Sequence, residues 1–206
     1  MTTPDVGAPT AASPRERVLA AAYDLFSRRG IRAVGTDEVI ARAGVARATL
    51  YRHFATKNDL VLAVLERREE LWTRGLIEEQ SCQRGNTPEE QLLAIFDVMH
   101  DWFQLSDRYE GCSFINVLLE VGPDHPAGRA CITHIDHVRD IVRRRAVAAG
   151  LTEVEDFASS WHILMKGAII LAAVGDLDAA LRARKMARVL IDEHRPPLVA
   201  DTGEAV

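Results

Sequence analysis

Residues 18–57 read VLAAAYDLFSRRGIRAVGTDEVIARAGVARATLYRHFATK, and this stretch decides the fold. Val18, Leu19, Ala22, Leu25 and Phe26 recur at the spacing of one apolar helix face. Ser13-Pro14 supplies an N-cap and a first-turn proline ahead of them, and Gly30 stops the helix. Thr36 then stands as an N-cap before Asp37 and Glu38, and Val39, Ile40 and Ala43 give a short apolar face that ends at Gly44. A third helix, Arg47 to Phe54, sets Leu50 and Phe54 on one side and Arg47, Thr49, Tyr51, Arg52 and His53 on the other. Two short helices about a glycine turn, the second with a polar and basic outer face, make a helix-turn-helix. A helix entering the DNA major groove needs apolar anchors on its inner side and groups outside that reach phosphates and base edges. Leu50 and Phe54, over Val39, Ile40 and Val45, fit the first requirement.

Charge follows the same division. The 206-residue chain is net −5, yet residues 1–57 hold nine Arg and Lys against five Asp and Glu, a net of +4, and the remainder is net −9. A basic segment on an acidic body suits a DNA-binding head on a regulatory or oligomerising domain. With 48% hydrophobic and 27% charged residues, disorder and collagen are excluded. Cys82, Cys112 and Cys131 are odd in number and unevenly spaced, which fits no disulfide framework and points to a reducing cytoplasm. The start, MTTPDVGAPTAASP, lacks the cationic and apolar parts of an export signal.

Residues 18–57 also resemble the DNA-binding head of the tetracycline-repressor (TetR) family of transcription regulators. Ala43-Gly44-Val45, then Thr49-Leu50-Tyr51-Arg52-His53-Phe54 and Lys57, carry the likeness. The resemblance implies a homodimer with two recognition helices on a palindromic operator of double-stranded DNA, acting as a repressor released by a small-molecule effector. It places Thr36, Tyr51, His53 and Lys57 on phosphates, with Tyr51 equally a packing residue. Arg47, Ala48, Thr49 and Arg52 face bases; Arg52 reads guanine O6 and N7 or holds a phosphate, and Ala48 or the Thr49 methyl meets thymine. Arg15, Arg17 and Arg42 are either further phosphate contacts or solvated.

The rest of the chain continues as helices, so the fold class is all-α: a three-helix head and a helical ligand-binding and dimerisation domain. The divisions expected are a disordered arm at 1–13, the head at 14–57, the body at 58–195 and a disordered tail at 196–206. One long helix is expected over Lys57 to Gln80, with Leu71 inside and Glu66 to Glu70 outward. Large, soft side chains then cluster in mid-chain: Trp72, Phe96, Met99, Trp102, Phe103, Phe114, Leu118, Trp161 and Met165. They suit an apolar or aromatic effector, oriented by His100, Gln104, Asn116 or Glu120. The last two helices carry apolar residues on several sides, including Trp161, Ile163, Leu164, Ala168, Ile169, Leu171 and Ala172 on one and Leu181, Met186, Val189 and Leu190 on the other. That pattern fits a four-helix dimer interface. The apolar run from Phe157 to Gly175 contains His162 and Lys166, so it reads as a buried helix and no membrane partner is expected.

Two rivals stand beside this reading. Glu120, His125, His134 and His137 offer a metal-sensing set, although no metal and no cofactor is assigned. An enzyme using Cys112 or His162 lacks a phosphate loop, a nucleophile elbow or paired carboxylates, so no enzymatic activity is expected.

Overall fold

The computed structural model describes residues 12–105 and 111–197, which places nearly all of the expected arm at 1–13 and tail at 196–206 outside the described residues. Among the described residues all regular structure is helical, as the apolar periodicity requires.

The head is α1 (Pro14–Arg29), α2 (Thr36–Ala43) and α3 (Arg47–His53). Ser13 caps α1, its hydroxyl accepting the Glu16 N–H at 3.2 Å. Val18, Leu19, Ala22 and Phe26 share one core with Val39, Ala43, Leu50 and Phe54. The turn between α2 and α3 depends on Gly44, which sits at φ 61° and donates to the Ala41 carbonyl while Val45 donates to the Ile40 carbonyl. This paired closure satisfies the last carbonyls of α2 and requires the left-handed backbone that glycine adopts without strain. The expected cap of α2 is corrected by one residue: Gly35 is the N-cap and Thr36 the first helical residue. The Thr36 hydroxyl is 3.2 Å from the Tyr51 hydroxyl on α3.

Thr56 and Asp59 form a reciprocal capping box, at 3.1 Å and 2.9 Å, that opens α4 (Lys57–Arg68). The helical rod does not stay α to Gln80. Residues Glu69–Gln80 widen into a π-helix before α5 (Ser81–Arg84). The inward residues Leu65, Glu69, Thr73, Ile77 and Ser81 are all buried and recur every fourth position, ahead of the 3.6 residues of an α turn. Glu69 is therefore inside and Leu71 is 59% exposed, the reverse of the sequence expectation.

The body is completed by α6 (Pro88–Leu105), α7 (Ser113–Val121), α8 (Pro126–Ala148), α9 (Val154–Ala173) and α10 (Ala179–Glu193). Its centre is aromatic, with Trp161 between Phe96 at 5.1 Å and Phe157 at 5.3 Å between ring centroids. Buried Arg145 on α8 donates to Ser81 Oγ at 2.7 Å, the Glu78 carbonyl at 2.8 Å and the Gln91 carbonyl at 3.1 Å. It thereby ties the end of the rod to α6. No described helix is long and apolar enough to cross a membrane. All three cysteines are free thiols, Cys112 and Cys131 being buried.

Candidate nucleic-acid interface

The apolar side of α3 is consumed by Leu50, with Phe54 just beyond its end, both buried in the head core. Ala48, Tyr51, Arg52 and His53 are left exposed and Thr49 half-buried. Arg47 pairs with Asp37 of α2, and Tyr51 is steadied by its contact with Thr36. Arg52 makes no ion pair or hydrogen bond among the described residues and stands out from the last turn of α3. These groups form one polar surface with aromatic, cationic and hydroxyl members, the set that contacts phosphates and base edges in a groove.

Most other cations of the head brace it from within. Arg17 Nε donates to the Ala43 carbonyl at 3.2 Å, closing the end of α2. Asp24 holds Arg28 at 2.6 Å and Arg42 at 2.7 Å. The Arg15 guanidinium lies 5.6 Å over the Phe54 ring. Lys57, assigned to a phosphate, has its ammonium on the Ile31 carbonyl at 2.6 Å. This carbonyl follows directly on the end of α1, so Lys57 links α4 to the head's own backbone.

The same short stretch is gripped from the body. The Glu120 carboxylate on α7 accepts the N–H of Ile31 at 2.8 Å and of Arg32 at 2.6 Å. Gly30, at φ 80°, lets the chain turn beneath that carboxylate, which lies 2.9 Å from where a Cβ would stand. Between α1, α4 and α7 is a cavity of about 330 Å³, lined in part by Tyr23, Phe26, Val61, Arg68, Asn116 and Glu120. Arg68 spans it, its guanidinium 5.8 Å from the Tyr23 ring of the head and 5.6 Å and 5.1 Å from the Trp72 and Trp102 rings of the body.

Comparison with known proteins decides the family. The model of bacterial regulatory proteins of the tetR family matches residues 18–64, and that of the LmrA/YxaF-like transcriptional regulator C-terminal domain matches residues 88–186. The chain belongs to the TetR family of transcriptional regulators. It is similar over its whole fold to a TetR-family regulator from Streptomyces coelicolor, with 27% identity, a TM-score of 0.81, and coverage of 89% of this chain and 96% of that one. The transcriptional activator FasR of Mycolicibacterium smegmatis is 34% identical over 90 residues, 44% of this chain and 40% of FasR. A transcriptional repressor of Mycobacterium tuberculosis is 45% identical over 49 residues, 24% of this chain and 26% of the repressor. The match thus spans less than half the length of these curated relatives.

In this TetR-family regulator, seven of the nine residues assigned to an effector are closed core. Trp72, Phe96, Met99, Phe103, Phe114, Trp161 and Met165 are all buried, while Trp102 and Leu118 are half-buried. The junction cavity is lined by none of the nine and borders them through Arg68. Of the four polar candidates, Asn116 and Glu120 line that cavity. His100 and Gln104 instead face the Leu177 carbonyl, at 3.2 Å and 3.4 Å.

The metal set drawn from sequence does not assemble. Glu120 is engaged at Ile31 and Arg32, and His125 caps α8 by accepting the Ala127 N–H at 3.1 Å. Among the described residues, His134 and His137 converge with Glu69. Sequence reading missed Glu69 because a Glu-Arg-Arg-Glu-Glu run looks like a solvated face.

Proposed function

We propose that this protein is a homodimeric, effector-released repressor that acts on a palindromic operator in the cytoplasm and has no enzymatic activity. The observation that carries the reading is the exposed polar face of α3, with Arg52 unpaired among the described residues, on a head bonded directly to the body at Glu120. Thr36, Tyr51, His53 and Lys57 are assigned to phosphates and Arg47, Ala48, Thr49 and Arg52 to base edges. Head and body divide at about residue 57.

Dimerisation is supported by apolar side chains left outside. Ile163 is 71% exposed, Val174 77% and Met186 61%, and Ile170, Leu171 and Val189 join them on α9 and α10. Trp161, Ala168, Ile169 and Ala172, read from sequence as part of this surface, turn into the protomer's own core. Pairing α9 and α10 with a second copy buries the outer set and positions two α3 helices for half-sites roughly 34–36 Å apart.

An apolar or aromatic effector is proposed to enter the junction cavity and press on Trp72 and Trp102, with Phe96, Met99, Phe103, Phe114, Leu118, Trp161 and Met165 as the yielding wall behind them. It favours the conformer whose heads are wrongly spaced, and Arg68 and the Glu120 contact transmit the change. The test is operator affinity with and without a saturating effector found by thermal-shift screening of small aromatic compounds. At least about a tenfold loss of affinity is expected. Equal affinity of the saturated and free protein contradicts release.

A further inference from the structure

Glu69, the first residue of the π-helical stretch, is 4% exposed and faces two imidazoles one turn apart on α8. Its Oε1 is 2.8 Å from His137 Nδ1 and its Oε2 is 3.3 Å from His134 Nδ1. The three ligand atoms lie within 4.8 Å of one another. Around a tetrahedral ion with bonds of about 2.0–2.1 Å, neighbouring ligand atoms stand roughly 3.4 Å apart, inside the 4.8 Å spread of this cluster.

The cluster is only partly satisfied by its own members: Glu69 Oε1 is hydrogen-bonded to His137 Nδ1, while Oε2 and His134 Nδ1 face each other at 3.3 Å without alignment. Glu69 Oε2, His134 Nδ1 and Thr73 Oγ1 are buried and make no hydrogen bond of acceptable geometry to any described residue. Buried polar atoms left in that condition are costly. A cation bound by the carboxylate and both imidazoles removes the cost for the first two. The Phe114 ring packs against the His134 ring at 5.0 Å and holds its plane.

Access exists as well. A groove of about 570 Å³ reaches Glu69, Thr73 and His137 from solvent. Its arginines are already paired, Arg74 with Glu70, Arg143 with Glu155 and Asp140, and Arg144 with Glu78, so they leave the entrance short of free positive charge.

We propose that Glu69, His134 and His137 bind one divalent ion of the zinc class, with the fourth position open to this groove. Two imidazole nitrogens and one carboxylate are a borderline donor set that suits Zn²⁺ over Ca²⁺ or Mg²⁺. The ion clamps the π-helical stretch to α8. It is separate from the operator surface and from the junction cavity, and the proposal is independent of the regulatory reading.

The test uses full-length, tag-free protein without DNA, stripped with chelator and then titrated with Zn²⁺, and with Co²⁺ as a coloured substitute. Expected are one ion per chain retained through dialysis, visible Co²⁺ bands of tetrahedral intensity, and a melting temperature raised by Zn²⁺ but not by Mg²⁺. His137→Ala, at a side chain 44% exposed, should stay folded by circular dichroism and lose more than about a hundredfold in affinity. Glu69→Gln should do the same, and His100→Ala should bind like the parent. No retained ion, or undiminished binding by folded His137→Ala, overturns the site and leaves a carboxylate–imidazole cluster without metal.

Discussion

Glu120 and Ile31, 89 positions apart in the chain, are joined by a hydrogen bond of 2.8 Å from the Ile31 N–H to the Glu120 carboxylate. A charged acceptor from the body thus holds backbone of the head, and the neighbouring Arg32 N–H makes the bond twofold. Lys57 holds the Ile31 carbonyl from the other side. The backbone just after α1 is therefore held at two successive peptide units.

Replacing the carboxylate tests that junction. Glu120→Gln retains one acceptor oxygen but loses its charge, and is expected to destabilise the protein by about 1–2 kcal/mol. Hydrogen exchange at Ile31 and Arg32 should accelerate while that in α9 is unchanged. Unaltered exchange at both amides contradicts the proposed link.

The head's arginines should separate into two classes. Arg52→Ala is expected to leave thermal stability within about 0.5 kcal/mol and weaken operator binding by about 1–3 kcal/mol. Arg17→Ala removes the donor to the Ala43 carbonyl and should lower stability by about 1–2 kcal/mol. Denaturation midpoints and DNA titrations of both variants check the division.

Charge placed on the outer face of α9 should break the dimer. Val174→Asp with Ile163→Asp alters side chains that are largely exposed in one protomer, so the fold should persist by circular dichroism. Sedimentation is expected to show a shift from dimer to monomer, with loss of operator binding. A persistent dimer places the interface elsewhere.

Acid should act through His162. Burial, with help from Lys166 and Arg139, pushes its pKa down to about 3, and neither ring nitrogen finds a hydrogen-bond partner among the described residues. The unfolded chain binds this proton near pH 6.5 and the native protein does not, so stability rises with pH between these values and is lost on acidification. The slope from this group is at most about 1.4 kcal/mol per pH unit. Denaturant midpoints from pH 7 to pH 5 should fall more steeply for the parent than for His162→Gln.

What could be read from sequence divides along physical lines. The head was legible because α1, α2 and α3 are amphipathic, α1 is capped by Ser13, and Gly30 and Gly44 punctuate the chain, all of which are local signals. The outer face of α3 followed from the same spacing. Glu69 was not legible: its burial depends on a π-helical register and on two histidines 65 and 68 residues away. Lys57 and Glu120 carry charges that normally face solvent, and only tertiary packing sends both to the Ile31 peptide. The mid-chain aromatics were correctly apolar, but composition does not distinguish a filled core from an open pocket.

Sequence reading by α3 is tested by fluorescence anisotropy of the protein titrated onto DNA flanking its own gene, at two salt concentrations and against scrambled competitor. Tight, salt-sensitive binding that survives competitor and is weakened at least about fivefold in Arg52→Ala and Tyr51→Ala is expected. Weak binding of equal strength to both DNAs, unchanged in these variants, would contradict a sequence-reading role for α3.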